Sequence, residues 1–145
     1  MKRLATGLGL SLLLFFNLPT HAQDNRMSSN DANAVRAAVT NYIEAYYTGN
    51  AARMQQTIHP DYLKQMVHGD IQVREKTGQQ MVEEVRSHGP ADLSAAQKTE
   101  QVSVLDIAGT IASAKLVTPG WVDYMTLFKV NGEWKILSVV QRIDR

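Results

Sequence analysis

The chain has 145 residues, no cysteine and a formal net charge of +1. That length suits one domain with a single core. The missing cysteines exclude disulfides, thiol catalysis, thiolate metal sites and lipid attachment at a cysteine, and without a basic cluster there is no footprint for nucleic acid or a membrane surface.

Lys2 and Arg3 precede an apolar stretch from Leu4 to Leu18, and Thr20-His21-Ala22 then offers a small residue for cleavage. This order predicts a secretory signal peptide over residues 1–22, cut after Ala22. The alternative is an uncleaved anchor, but the stretch is short of the roughly 20 apolar residues that a spanning helix needs. The expected location is the periplasm, with no membrane contact after cleavage. Residues 23–30 are polar and expected to be disordered, so the single domain runs over 31–145.

A first helix is predicted from Asn30 or Asp31, both good caps. Its inward stripe is Val35, Val39, Tyr42 and Tyr46, with Ala38 and Ile43 beside it. Gly49-Asn50 ends it and caps a second helix from Ala51 to about Ile58, which Pro60 stops. Asp61 to Met66 reads as a helical turn or as the approach to a strand, and a short strand is placed near Ile71 to Arg74. Thr77 with Gln80 three residues on is a capping box. The helix it opens carries Met81, Val82 and Val85 and ends at His88-Gly89-Pro90.

After a polar loop from Ala91 to about Gln97, the chain reads as strands: Lys98–Ile107, Ile111–Val117, Gly120–Val130 and Glu133–Ile143. The last two are joined by Asn131-Gly132, a strong hairpin signal. Helices followed by strands predict an α+β fold. The expected form is a cone-shaped, curved antiparallel or mixed sheet with about three helices on its concave face.

The hairpin sets a register. Val130 pairs with Glu133, Leu127 with Ile136, Met125 with Ser138, Asp123 with Val140, and Trp121 with Arg142. Opposed side chains share a face. With a three-residue loop at Thr118-Pro119-Gly120, Lys115 lies opposite Asp123. A two-residue loop would turn Lys115 to the other face. The expected pocket lies between the first helix and this face. Tyr42, Trp121 and Met125 supply apolar and stacking surface, while Asp123, Lys115 and Arg142 orient polar groups. Asp123 is also a candidate ion-pair partner of Lys115 or, diagonally, of Arg142. His59 either caps a helix end or stands at the pocket mouth with Tyr62.

His59, His68, Asp61 and Asp70 lack a metal-ligand spacing, and no glycine-rich phosphate loop is present. No metal and no cofactor are therefore expected. Ala112, Ala114, Leu116, Val122, Tyr124, Thr126, Phe128, Leu137 and Val139 form the other face. It is largely apolar and uncharged, and is expected to pair with a second copy as a homodimer.

The segment Ile58-His59-Pro60-Asp61-Tyr62 and the pattern Trp121-x-Asp123-Tyr124…Lys129-x-x-Gly132-x-Trp134-Lys135-Ile136 resemble the nuclear transport factor 2-like superfamily, in its putative lumazine-binding-like branch. The resemblance covers about residues 31–144. It implies a cystatin-like α+β fold on which isomerases, dehydratases, cyclases and non-catalytic binders are all built.

Tyr42-Ile43-Glu44…Gly49 and Asp123-x-Met125-x-Leu127 also resemble the ketosteroid isomerases. That likeness implies Tyr42 as an oxyanion-hole donor and Asp123 as a neutral carboxylic acid donor. It requires a carboxylate base after the second helix, where this chain has Met66, Val67 and His68, so His68 is the candidate base. Three readings follow: a binder of a small, partly apolar molecule without catalysis; an isomerase- or dehydratase-type enzyme acting next to a carbonyl; and a dimeric interaction module whose pocket is filled by its own side chains.

Overall fold

The structure, a computed structural model, describes residues 28–143. The expected export signal over residues 1–22 lies outside them. The helix α1 (Ser29–Thr48) takes in Ser29 and Asn30, which the sequence assigns to the disordered lead-in. Its inward face buries Val35, Val39, Tyr42 and Ile43. It ends at Gly49, whose φ of 67° is left-handed. A Cβ there would stand 2.2 Å from the Gly89 carbonyl carbon, so the corner admits only glycine. Asn50 then caps α2 (Ala51–Thr57), accepting from Arg53 N–H at 2.9 Å.

The segment after α2 is a full strand, not a helical turn. β1 spans Ile58–His68 and pairs in parallel with the last strand. Pro60 is tolerated because the pairing is irregular between Ile58 and Leu63, so no ladder bond is demanded of its missing N–H. Beyond that break the strand alternates, burying Tyr62, Lys64 and Met66. β2 (Ile71–Thr77) returns antiparallel to it. The capping box is present: Thr77 Oγ1 accepts from Gln80 N–H, and the Gln80 side chain accepts from Thr77 N–H at 2.8 Å. It opens α3 (Gly78–His88), which buries Met81, Val82 and Val85.

After a 3₁₀ turn at Ala95–Lys98, four antiparallel strands follow: β3 (Gln101–Ala108), β4 (Ile111–Val117), β5 (Trp121–Val130) and β6 (Glu133–Ile143). The sheet is mixed, with strand order β2-β1-β6-β5-β4-β3. α1 packs on β3, β4 and β6 and α3 on β1 and β2, so the helices share one face. The other face is left open, and on it Ile111, Tyr124, Phe128 and Val140 are exposed.

Two features change the expected register. Asn131 and Gly132 both take positive φ, as the tight hairpin requires, and Leu127 pairs with Ile136. One residue later β6 bulges, and Thr126 pairs with Ser138. The extra residue, Leu137, turns every later side chain of β6 over. Asp123 therefore faces Gln141, not Val140, and Arg142 sits opposite Val122. The β4–β5 connection is also longer than expected: Val117 pairs with Val122, leaving four residues in the loop. Thr118 closes it by accepting on Oγ1 from Trp121 N–H at 3.2 Å. Lys115 then lies opposite Tyr124, on the open face.

At the hairpin end, Asp31 sits in the first turn of α1, where a carboxylate suits the helix dipole. It accepts from Lys129 Nζ at 2.6 Å and from Trp134 Nε1 at 3.1 Å. These two hydrogen bonds hold its carboxyl below the usual carboxylate range.

Candidate functional site

A cavity of about 270 Å³ lies between α1, β1, α3 and the start of β5. This is just under the roughly 300–1,000 Å³ of drug-sized ligand sites, so it suits a small occupant. α1 contributes Tyr42 and Tyr46, β1 contributes Lys64 and Met66, and β5 contributes Trp121 and Asp123. Gln141 of β6 completes the polar wall because the bulge turns it inward. At the rim the Tyr46 and Trp121 rings meet edge-on, 6.0 Å between centroids.

Four polar side chains form a buried chain. The Tyr42 and Tyr62 hydroxyls are 2.9 Å apart, and Lys64 Nζ reaches the Tyr42 hydroxyl at 3.3 Å. Lys64 Nζ lies 3.9 Å from Asp123 Oδ1, an ion-pair distance too long for a hydrogen bond. Asp123 is wholly buried, and neither carboxylate oxygen has a hydrogen-bond partner of good geometry among the described residues. Burial pushes the Asp123 carboxyl up; Lys64, Gln141 and Trp121 pull it back only in part. Burial likewise pushes the Lys64 amine down, against the pull of Asp123. Both shifts favour a neutral acid beside a neutral amine. Burial raises both tyrosine hydroxyls well above their usual range, so both stay protonated. The second lysine of the cavity, Lys76, is ion-paired to Glu84.

Of the residues expected to line the pocket, Tyr42, Trp121 and Asp123 are brought together here. Tyr62 stands behind Tyr42 and acts on the cavity through its hydroxyl. Met125 is packed in the core opposite Val139 and Ala114. Lys115 and Arg142 are corrections. The four-residue loop turns Lys115 outward, where its Nζ lies 5.5 Å from the Tyr124 ring centroid. The β6 bulge turns Arg142 outward, opposite Val122. Neither expected ion pair of Asp123 therefore forms.

His59 and His68 sit at opposite ends of β1. His59 accepts from Asp61 N–H on Nδ1 at 3.1 Å and approaches the Phe128 ring; it lines a separate groove of about 700 Å³ beside α3 whose polar residues are all exposed or half-buried. His68 is exposed and lines no part of the Asp123 cavity, so its expected role as a base has no geometry to support it. The inward position on that strand belongs to Lys64, which the sequence reading missed. The signal was the alternation Tyr62-x-Lys64-x-Met66, which reads as a half-buried strand once the segment is taken as one.

The sequence pattern of the family described as putative lumazine-binding matches residues 30–141. No curated protein matches the chain. Among solved structures, the chain is similar to a nuclear transport factor 2-like protein of unknown function from Methylobacillus flagellatus, at 22% identity and a TM-score of 0.66, covering 83% of this chain and 98% of that one. A similar protein from Silicibacter pomeroyi shares 17% identity, with a TM-score of 0.66 over 81% of this chain and 100% of that one. A ketosteroid isomerase-like protein from Erwinia carotovora atroseptica shares 12% identity, with a TM-score of 0.59 over 81% and 99%. At these identities the likeness is one of fold. Others of this set are described as having a cystatin-like fold.

Proposed function

The chain belongs to the putative lumazine-binding family, within the nuclear transport factor 2-like fold, and from that premise we propose that it is an exported protein that binds a small, partly apolar molecule in the Asp123 cavity. The observation that carries this reading is Asp123 itself. Among the described residues its oxygens meet no donor in good geometry; a buried polar group so placed costs about 1–3 kcal/mol, and a ligand N–H or O–H would supply a better partner. Lys64 and the Tyr42 hydroxyl stand beside it to meet a second polar group, while Trp121 and Tyr46 offer aromatic surface for a flat ring.

Tryptophan fluorescence titrated with a library of aromatic heterocycles tests the proposal. Trp121 lines the cavity and Trp134 is hydrogen-bonded to Asp31 away from it, so the response should vanish in Trp121→Ala and survive in Trp134→Phe. Asp123→Asn should weaken binding about tenfold, the equivalent of one hydrogen bond. No response in wild type, or equal responses in wild type and Trp121→Ala, would remove the reading.

The same proposal includes a homodimer through the open face of the sheet. Ile111 pairs with Phe128 and Tyr124 with Val140, and all four are exposed on that face. Contiguous apolar surface of this kind marks an association site. Sedimentation should give a dimer that Phe128→Glu converts to monomer; a monomeric wild type at micromolar concentration would refute it.

A further inference from the structure

The cavity's lysine is held unlike a resting ammonium. An ammonium carries three donors, yet Lys64 Nζ has one hydrogen-bond partner among the described residues, the Tyr42 hydroxyl. Its side chain is 7% exposed, so the amine is largely withdrawn from bulk solvent. The carboxyl 3.9 Å away meets no donor in good geometry among the described residues. The other charged groups that face it, Lys76 from β2 and Glu84 from α3, are already paired to each other. A primary amine thus lines a half-open cavity, with a carboxyl group and a tyrosine hydroxyl beside it.

We infer that Lys64 is a nucleophile that condenses with the carbonyl group of an aldehyde or ketone ligand, with Asp123 delivering the proton that lets water leave. The inference rests on the cavity being a ligand site. The Lys64 amine nitrogen forms a bond to the carbonyl carbon, giving a carbinolamine. The Asp123 carboxylic acid gives its proton to the carbinolamine oxygen, the C–O bond breaks and water departs. The product is a protonated imine on Lys64 beside an Asp123 carboxylate. One amine proton and the carboxyl proton leave in the water, and no oxidant or reductant enters. The new cation and anion lie side by side and neutralise each other. Burial of the amine favours this chemistry, since lysines become nucleophilic when desolvation keeps the amine neutral. The downward shift of Lys64 and the upward shift of Asp123 agree with it.

The test is reductive trapping. The protein is treated with propanal or benzaldehyde and cyanoborohydride near neutral pH, and the adduct is mapped by peptide mass spectrometry. The expected result is an adduct at Lys64 ahead of Lys115, which lies on the open face. Lys64→Met should lose that adduct. Asp123→Asn should keep it but slow its formation about 100-fold, the lower range of a positioned general acid; a lysine merely made neutral by burial would react as fast or faster without its carboxylate. Adducts spread over surface lysines with Lys64 untouched in wild type would overturn the inference without any variant needing to fold. Undiminished labelling in Asp123→Asn would overturn the role of the acid. Benzyl alcohol separates the two claims. If it perturbs Trp121 fluorescence while benzaldehyde leaves Lys64 unmodified, the cavity binds ligands and the imine chemistry falls alone. If neither compound perturbs Trp121 and no adduct forms, both fall.

Discussion

At the two ends of β5 the same three residue types meet in opposite states. Asp31, Lys129 and Trp134 gather at the hairpin end, Asp123, Lys64 and Trp121 at the cavity end. Asp31 accepts two hydrogen bonds at the surface, and its carboxyl is held low. Asp123 accepts none of good geometry among the described residues, and its carboxyl is pushed high by burial. Identity of side chains does not set chemistry; the number of donors and the access of water do. The first group is a clasp between α1 and the hairpin. The second is a buried amine and carboxyl with unspent hydrogen-bonding capacity.

The largest effect should come from the cavity end. Removing one member of a buried pair strips the other of a polar neighbour, so Lys64→Ala or Asp123→Ala should each lose about 2 kcal/mol in urea unfolding. The double change Lys64→Met with Asp123→Leu should recover most of that loss, since an apolar pair replaces both groups together. A double variant as unstable as either single would show that the two residues are not energetically coupled. Next in size, Tyr42→Phe should cost about 1 kcal/mol in thermal unfolding, because Tyr62 and Lys64 lose their shared hydroxyl. A neutral outcome would mean the hydroxyl chain carries no energy.

The smallest effect belongs to the hairpin end and has a pH signature. Asp31 is depressed in the folded state, so its contribution is present above the unfolded value of 3.8 and fades as pH falls through the folded one. Asp31→Asn should therefore be less stable than wild type at pH 7 and indistinguishable from it in strong acid. Salt should shrink the difference, since the pair is partly exposed. A gap that persists in acid would mean that Asp31 acts through something other than its charge.

Local signals made much of the fold legible. Thr77 and Gln80 announce α3 because the capping box satisfies its own donors within four residues. Asn131-Gly132 announces the hairpin because few other pairs accept two positive φ angles. β1 was harder to read, since its parallel partner β6 lies some 70 residues away and leaves no turn between them. Pro60 and the charge of Lys64 also disguised it. Within the site, helical periodicity places Tyr42 inward and strand alternation puts Trp121 and Asp123 on one face, while the choice of that face as the inner one leaned on Lys115 and Arg142, which lie on the other. Lys115 and Arg142 could not be placed, because an extra loop residue and an extra strand residue each invert a whole face, and neither Thr118-Pro119-Gly120 nor Leu137 carries a residue type that demands the insertion.

Leu137 decides which side chains of β6 the cavity meets. Were it to pair with Thr126 instead of standing in the bulge, every later residue of β6 would slip by one, bringing Val140 opposite Asp123, Gln141 opposite Val122 and Arg142 opposite Trp121. A neutral amide would be exchanged for a guanidinium without any substitution among the lining positions. Selectivity in such a chamber can thus be rewritten by whether one leucine joins a ladder.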